Sequence, residues 1–254
     1  MLDTAIKAVK SGGKIISDNY GRITSLKMKG GNWREVVSQI DLDANDQMLK
    51  VIEAAYPDHN IISEESILPK KPSDYTWYVD PLDGTTNYLM QFPFFAVCVG
   101  LAFKGEPILG VVYNPILNEL FTAEKDQGAE LNGQKIEVSN NNNLKLTLAN
   151  FCHAENEKSV KQIGKIYEIF KMEARDFRRL GSGGLDMAYL AAGRYDVYIS
   201  NNDRIWDVIP GYVIAKEAGA KITDWQGSDW TPDSAQLLIT NQELHKKVLE
   251  LLTL

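Results

Sequence analysis

The chain contains the stretch Trp77-Tyr78-Val79-Asp80-Pro81-Leu82-Asp83-Gly84-Thr85-Thr86-Asn87, in which an apolar, strand-like run ends in two carboxylates, a glycine and two hydroxyls. Hard divalent cations such as Mg²⁺ bind oxygen ligands, so Asp80 and Asp83 supply suitable atoms at a short separation. Pro81 fixes its own φ and favours extended geometry at Asp80, which directs both side chains out of the strand end. The stretch therefore predicts a strand that ends in a cation site.

The residues that follow Asp83 suit an anion. Gly84 allows its backbone amide to approach a ligand closely, and a helix beginning at Thr85 would present free amides and the positive end of its dipole. The plainer alternative is an Asp-rich turn that only caps a helix, since Asp, Gly and Thr are ordinary turn residues. Two carboxylates after a buried strand favour a cation and phosphate site, because a cap needs only one.

Two further carboxylates stand at the ends of apolar elements. Glu64 follows the short apolar run Ile61-Ile62-Ser63, and Asp207 stands at the start of a strongly apolar helical segment. If the strands that end near Glu64 and Asp80 are neighbours, these two side chains meet. The alternatives are a solvated loop charge for Glu64 and a plain helix N-cap for Asp207.

Hydrophobic periodicity predicts the order of the elements. Helical spacing predicts two N-terminal helices, one before Gly21 and one before Pro57. Apolar runs predict a mostly antiparallel set of strands at Ile61–Ile62, Thr76–Val79, Phe94–Phe103, Ile108–Tyr113 and Leu120–Ala123. The polar tract Ser139–Asn143 predicts an exposed loop, which divides a single unit, residues 1–254, into an α+β half (1–142) and an α/β half (143–254).

The second half reads as alternating helices and strands. The predicted strands are Leu146–Phe151, Tyr195–Ile199, Lys221–Ile222 and Leu237–Thr240. The predicted helices are Ser159–Phe170, Gly184–Ala192, Val208–Ala218 and a terminal helix after Asn241.

Composition limits the class of protein. The chain has 254 residues, 44% of them hydrophobic and 24% charged, which suffices for a sizeable core. The formal net charge of -7 and pI of about 5.1 argue against a nucleic-acid surface. Cys98 and Cys152 are the only cysteines, so free thiols are expected instead of a disulfide framework or a thiolate metal site. Neither a signal peptide nor a membrane helix is predicted, and the expected location is cytoplasmic.

The three histidines lie outside every acidic cluster. His59, His153 and His245 are therefore expected to be packing or surface residues and not catalytic groups.

Five segments, in this order, resemble the inositol monophosphatase family over essentially the whole chain. They are Val37-Ser38-Gln39-Ile40-Asp41, Glu64-Glu65-Ser66, Asp80 to Asn87, Gly181-Ser182-Gly183, and Trp206-Asp207 with Gly211 and Glu217-Ala218-Gly219-Ala220. The resemblance implies an α/β (α+β) fold, a layered α-β-α-β-α sandwich of the type shared with fructose-1,6-bisphosphatase. It also implies a Mg²⁺-dependent, Li⁺-sensitive phosphomonoesterase that acts on a small phosphorylated metabolite and forms a homodimer.

The resemblance also implies a role for each motif residue. The first ion would be held by Glu64, Asp80 and the Leu82 carbonyl, and the second by Asp80, Asp83 and Asp207, with a weak third ion as an option. Glu64 and Thr85 would orient the attacking water, and Asp41 would accept a hydrogen bond from the Thr85 hydroxyl. The implied substrate-binding residues are Asp83, Gly84, Thr85, Gly181, Ser182, Gly183, Ser200 and Asp207.

The chain departs from the family pattern at one position that contacts the substrate in the family. Family members that act on inositol phosphates usually carry an acidic residue seven positions before the metal-binding Asp, and here that position is Ser200. The turn Asn201-Asn202-Asp203 is a candidate replacement for the lost carboxylate. Inositol 1-phosphate is the favoured substrate, with fructose 1,6-bisphosphate and histidinol phosphate as alternatives.

Two other kinds of protein are alternatives to this reading. A haloacid-dehalogenase-type phosphatase also carries an Asp-Gly-Thr segment, but its two Asp residues are two positions apart, whereas Asp80 and Asp83 are three apart. A non-catalytic metal-binding or regulatory protein on the same scaffold is the second alternative. The presence of every expected ligand disfavours it.

Overall fold

The computed structural model describes residues 1–22, 26–29, 32–153 and 156–252, and within these ranges the side chains of residues 26–29, 32–38 and 153 lie outside the description. None of the helices in these ranges has the length and apolar composition that crossing a bilayer requires.

The first half of the chain consists of three helices and nine strands within the described ranges. The helices are α1 (Leu2–Asp18), α2 (Gln39–Ala55) and the short α3 (Thr85–Leu89). The strands are β1 (Leu26–Lys29), β2 (Asn32–Ser38), β3 (Asn60–Ser63), β4 (Tyr75–Asp83), β5 (Ala96–Phe103), β6 (Glu106–Asn114), β7 (Glu119–Glu124), β8 (Gly128–Leu131) and β9 (Gln134–Ile136).

The second half follows a short 3-10 turn at Leu144–Leu146. Its helices are α4 (Glu157–Glu173), α5 (Gly183–Ala191), α6 (Ile205–Glu217) and α7 (His245–Leu252). Its strands are β10 (Leu148–His153), β11 (Asp176–Arg178), β12 (Val197–Asn201), β13 (Lys221–Thr223) and β14 (Gln236–Thr240).

These strands form two large sheets and one hairpin. The larger sheet has the order β3-β4-β5-β6-β7-β8-β9, in which only the β3–β4 pair is parallel. The smaller sheet has the order β11-β10-β12-β14-β13, with β11, β10 and β12 parallel to one another. Strands β1 and β2 pair separately as an antiparallel hairpin. The expectation of a mostly antiparallel first half is confirmed.

Three hydrophobic clusters hold the sheets and helices together in five layers. The first joins α1 and α2 to one face of the seven-stranded sheet through residues such as Ala8, Met48 and Val99. The second fills the space between the two sheets with α5 and α6, and includes Cys98, Ile209 and Tyr198. The third joins α4 and α7 to the outer face of the five-stranded sheet. This order of layers is the expected α-β-α-β-α sandwich.

The predicted elements differ from the observed ones in a few places. The β1–β2 hairpin, β8, β9 and β11 are not among the predictions, and all of these strands except β2 have only three or four residues, too few for a clear periodicity. The expected exposed loop at 139–143 has no regular structure, yet it is tied to the second half, because Asn241 Nδ2 donates to Ser139 Oγ at 3.0 Å and to the Asn141 carbonyl at 2.8 Å.

Candidate active site

Strand β4 ends in a bulge that separates its two carboxylates. Asp80 lies opposite Cys98 and Asp83 opposite Ala96, so β4 has one residue more than β5 over this interval. Pro81 lies inside the bulge, where the missing amide removes no ladder hydrogen bond. The Leu82 amide donates to Asp80 Oδ1 at 2.9 Å, which fixes the Asp80 carboxylate beside the turn.

The structure brings Glu64, Asp80 and Asp207 together. Strand β3 runs parallel to β4, with Ser63 level with Val79, so both strands end at the same edge of the sheet. Helix α6 packs against β4, β5 and β6 and carries Asp207 in its first turn. One carboxylate oxygen from each of the three acidic residues lies within 4.8 Å of the other two.

Two alternatives for these acidic residues are removed by the geometry. The N-cap residue of α6 is Arg204, so Asp207 is not the N-cap. Glu64 is half-buried, and its amide donates to the Val79 carbonyl at 3.1 Å, so it is not a charge on a solvated loop.

The cluster is electrostatically unfavourable without a compensating cation. Burial, and then the charges of Glu64, Asp207 and Asp83, raise the pKa of Asp80 well above its usual value. Burial followed by Glu64, Asp83 and Asp203 raises the pKa of Asp207 in the same way. A cation among these oxygens would relieve both the lost hydration and the repulsion.

The donor set fits a hard divalent cation. The cluster contains only carboxylate oxygens, which is the ligand type that Mg²⁺ prefers over imidazole or thiolate. Among the residues described, no second group of three His, Cys, Asp or Glu side chains comes as close together.

Asp83 is held by the N-terminus of α5. Its Oδ2 accepts from Ser182 Oγ at 2.7 Å and from the Gly184 amide at 2.7 Å, and its Oδ1 accepts from the Gly183 amide at 3.1 Å. Burial raises the Asp83 pKa to about 6, while these hydrogen bonds oppose the rise. Ser182 and Gly183 thus contact Asp83, and the binding of substrate by Gly181, Ser182 and Gly183 stays a prediction.

Thr85 lies at the junction between Asp41 and the end of β4. Its hydroxyl is 3.1 Å from the Leu82 carbonyl and 3.4 Å from Asp41 Oδ1. Asp41 belongs to the first turn of α2 and is buried. Because the hydroxyl has one hydrogen, it donates to one of these oxygens at a time and keeps lone pairs for a water molecule.

Gly84 allows two loops of the site to approach each other. Its φ is +96°, and a Cβ at this position would lie 3.1 Å from the Gly181 carbonyl oxygen and 3.1 Å from Phe95 Cβ. Helix α3 begins at the next residue, as the sequence suggests, and leaves the Gly84 and Thr85 amides at its start.

Asn87 has a structural role in the site that its sequence context did not indicate. Its Nδ2 donates at 2.6 Å to the carbonyls of both Phe94 and Leu180, and so links α3 to the loop before α5. Its place in the quoted motif is the only signal in the sequence that marks it.

Ser200 is buried on β12 and faces the layer between the two sheets. Register places it beside Cys152 and Leu237, and it lines a cavity of about 40 Å³ together with Asp203 and Trp230. The Tyr198 hydroxyl donates to Asp203 Oδ2 at 3.1 Å. A carboxylate is thus present near Ser200, although not at position 200 itself.

The two cysteines and the histidines whose side chains are described are not members of the acidic cluster. Cys98 and Cys152 are free thiols, as expected. His59 stacks between Tyr56 and Tyr75, with ring centroids 4.8 and 4.6 Å away. His245 is buried, and burial lowers its pKa to about 4. The side chain of His153 lies outside the described residues.

The sequence and the fold of this chain are similar to those of known proteins. The sequence model described as the inositol monophosphatase family matches residues 1–253. The Nus factor SuhB of Pasteurella multocida is 36% identical over 252 residues, which cover 98% of this chain and 94% of that protein. A protein of Thermotoga maritima named fructose-1,6-bisphosphatase/inositol-1-monophosphatase is 34% identical over 249 residues, with the same coverage of 98% and 94%.

A solved structure, that of an IMPase from Thermotoga maritima, superposes with a TM-score of 0.91 at 33% identity. The match covers 99% of this chain and 96% of that one.

Proposed function

Because this chain belongs to the inositol monophosphatase family, we propose that it is a Mg²⁺-dependent phosphomonoesterase that hydrolyses a small polyol or sugar phosphate. The observation that carries the proposal is the meeting of Glu64, Asp80 and Asp207 at the end of β4, the strand that leads into Thr85. These carboxylates come from three separate elements, and their convergence has no structural benefit without a cation.

The proposed ligands of two Mg²⁺ ions are Glu64, Asp80, the Leu82 carbonyl, Asp83 and Asp207. When bound at these residues, Mg²⁺ would neutralise phosphate charge, lower the pKa of water and stabilise the departing oxygen. Asp83 Oδ1 accepts one hydrogen bond, and Oδ2 accepts two. Because each carboxylate oxygen has two lone pairs, Oδ1 is the Asp83 atom best able to serve as a ligand.

The other residues of the proposed site would bind the phosphate and orient the attacking water. Thr85, positioned by Asp41, and Glu64 would hold the attacking water, while the amides of Gly84 and Thr85 would donate to phosphate oxygens. The mechanism needs no nucleophilic side chain, so it includes no covalent intermediate.

A phosphatase screen tests the proposal. The substrates are inositol 1-phosphate, fructose 1,6-bisphosphate and histidinol phosphate, each with Mg²⁺ and with EDTA. We expect turnover of at least one substrate, dependence on Mg²⁺, and loss of that turnover in Asp207→Asn. The matched control is Asp229→Asn, which changes an almost fully exposed carboxylate and should leave turnover intact. Near-normal turnover with Mg²⁺ in Asp207→Asn would contradict the site.

The preferred substrate within this class is inositol 1-phosphate. The name of the Thermotoga maritima relative keeps fructose 1,6-bisphosphate as the first alternative. We infer that Asp203 takes the place of the carboxylate missing at Ser200 and accepts hydrogen bonds from substrate hydroxyls. Asp203→Asn should then raise KM for inositol 1-phosphate and leave KM for phenyl phosphate, which has no hydroxyl, unchanged. An equal effect on both substrates would contradict this role.

A second candidate function is a binding role independent of catalysis, because several relatives of similar sequence identity to this chain are named Nus factor SuhB. The test is complementation of a bacterial strain that lacks SuhB. Rescue by both the wild type and Asp207→Asn would support the binding role, and failure of the wild type to rescue would contradict it.

The proposal also includes a homodimer. Light scattering should give twice the chain mass of 28.5 kDa, and a monomer at working concentration would contradict it.

A further inference from the structure

A buried carboxyl group lies outside the acidic cluster, and the proposed mechanism makes no use of it. Asp186 belongs to the first turns of α5, and its side chain is 1% exposed. Asn150 of β10 is fully buried, and its Nδ2 donates to Asp186 Oδ1 at 2.8 Å. The pair lies between α5 and the five-stranded sheet.

Each partner of this pair has a second oxygen that is buried and has no hydrogen-bond donor among the described residues. These atoms are Asn150 Oδ1 and Asp186 Oδ2. If Asp186 were ionised, both atoms would be buried acceptors without a donor, and one would carry charge, which is strongly unfavourable. A single proton on Asp186 Oδ2 removes both deficits, because a carboxylic acid and an amide joined by one hydrogen bond can form a second one in the opposite direction.

We propose that Asp186 is a protonated positioning residue, which donates its O–H to Asn150 Oδ1 and accepts from Asn150 Nδ2 in a cyclic acid–amide pair. The two hydrogen bonds anchor α5 to β10. No charge is buried in the pair.

The charged groups around Asp186 favour the neutral form. Burial, followed by the charges of Asp83 and Asp203, raises the pKa of Asp186 well above its usual value, whereas Arg179 and the Asn150 hydrogen bond oppose the rise. The other titratable groups that face the pair are Tyr195, Tyr198 and Cys152, and burial raises the pKa of each, so they stay neutral as well.

The pair is connected to the candidate site through α5. The Asp186 amide donates to the Ser182 carbonyl at 2.9 Å, and the Ser182 hydroxyl, with the Gly183 and Gly184 amides, holds Asp83. The start of α5 is thus tied to β4 through Asp83 and to β10 through the acid–amide pair. An ionised Asp186 would add a second negative charge near Asp83, in the helix end that holds it. The catalytic part of this inference rests on the proposed function, but the protonation state does not.

An exchange of the two side chains tests the pair. Asp186→Asn supplies an N–H in place of the O–H, so we expect an unchanged Tm at pH 8. Asn150→Asp alone places two carboxyls face to face and should lower Tm by about 5 °C or more at pH 8. Combining the two substitutions restores one acid and one amide with their positions exchanged, and should recover most of that loss.

Asp176→Asn is the matched control with the opposite expectation. Ion pairs of Asp176 with Lys171 and Arg178 lower its pKa to about 2. The charged form of Asp176 is therefore the one that stabilises the fold, and its neutralisation should lower Tm. If Asp186 were ionised, Asp186→Asn would remove a buried charge that Asp83 and Asp203 repel and would raise Tm at pH 8, so such a rise would show that the proposal is wrong.

Two further measurements separate this inference from the proposed function. Infrared spectra with labelled Asp should show a neutral carboxyl band at pH 8 that is absent in Asp186→Asn, and no difference between the two spectra would overturn the assignment. If the wild type hydrolyses no substrate, the proposed function fails, while the Tm and infrared results still decide the state of Asp186. If the wild type does hydrolyse a substrate, Asp186→Asn should retain kcat. Asn150→Asp should lower kcat, and the variant that carries both substitutions should recover it.

Discussion

At the scale of single residues, the site depends on how many partners each oxygen atom has. The Thr85 hydroxyl has two acceptors within 3.4 Å, the Leu82 carbonyl and Asp41, and only one hydrogen to share between them. In both orientations the hydrogen points toward the protein, so a lone pair is left for a water molecule. A water molecule that donates to this hydroxyl would be oriented in turn.

Thr85→Ala should lower kcat about 100-fold with a smaller change in KM, because in the proposed mechanism the hydroxyl acts on the attacking water and not on substrate binding. Steady-state kinetics on the substrate found in the screen measures both constants. Thr85→Ser is the control, since it keeps the hydroxyl and should retain most of kcat. A similar loss in both variants would show that the methyl group and not the hydroxyl matters.

Asp83→Asn should lower both turnover and stability. The carboxylate accepts three hydrogen bonds from the start of α5, and an amide nitrogen in place of either oxygen faces a donor. One lost acceptor in a buried site costs about 1–3 kcal/mol of unfolding free energy, which urea denaturation measures. Full stability in this variant would mean that the contacts with α5 are not maintained in solution.

At the scale of elements, the site is the place where a strand end, two helix starts and a loop meet. Helix α3 begins at the end of β4, and Asn87 ties it to the loop that precedes α5. Gly84 lies where these segments are closest, against the Gly181 carbonyl. A change in this contact should therefore disturb the amides of Gly84 and Thr85 and the Asp83 contacts together.

Gly84→Ala tests the close approach, with Gly105→Ala as its matched control. Both glycines have positive φ, +96° and +82°, but a Cβ at Gly105 would meet nothing within 4 Å. The control should lose about 1 kcal/mol of unfolding free energy from backbone strain alone. Gly84→Ala should lose at least about 1 kcal/mol more, with reduced kcat, because its Cβ also displaces neighbouring atoms. Equal losses in the two variants would rule out the contact.

At the scale of the whole molecule, we propose that residues 1–254 form one folding unit. The cluster between the two sheets draws residues from both halves, including Cys98 and Val112 from the first and Leu185, Tyr198 and Ile239 from the second. Separate halves would expose this shared apolar surface. A single unfolding transition, seen with coincident probes, would support the proposal, and two separate transitions would contradict it.

Stability of the whole molecule should depend on the cation. The folded-state pKa of Asp80 and of Asp207 is raised, so the folded chain retains protons that the unfolded chain releases above about pH 4. Stability without metal should therefore fall as pH rises from about 4 through the raised pKa values. Mg²⁺ at 100 times its Kd should add about 2.7 kcal/mol at neutral pH.

The effect of Asp80→Asn on Tm should have opposite signs in EDTA and in Mg²⁺. In EDTA at neutral pH the variant should have a higher Tm than the wild type, because it removes a buried charge that Glu64, Asp207 and Asp83 repel. With Mg²⁺ the wild type should be the more stable protein, since the variant has lost a ligand. Calorimetry in both buffers measures the two differences. A lower Tm for the variant in EDTA would contradict the electrostatic account.

The sequence by itself determined the order of most helices and strands and the chemistry of the Asp80–Thr85 turn, because helical spacing, apolar runs and residue type are local properties. The layered sandwich was implied by the resemblance to the family. Periodicity and spacing did not determine which carboxylates meet, although the resemblance to the family implied that these residues share a metal site. Glu64, Asp80 and Asp207 converge because β3 is parallel to β4 and α6 packs on β4 more than 100 positions later, and such contacts leave no local pattern. Only the tertiary structure decided that α5 holds Asp83 and that Asn150 and Asp186 form a buried pair, since each partner alone resembles an ordinary polar residue of a strand or helix.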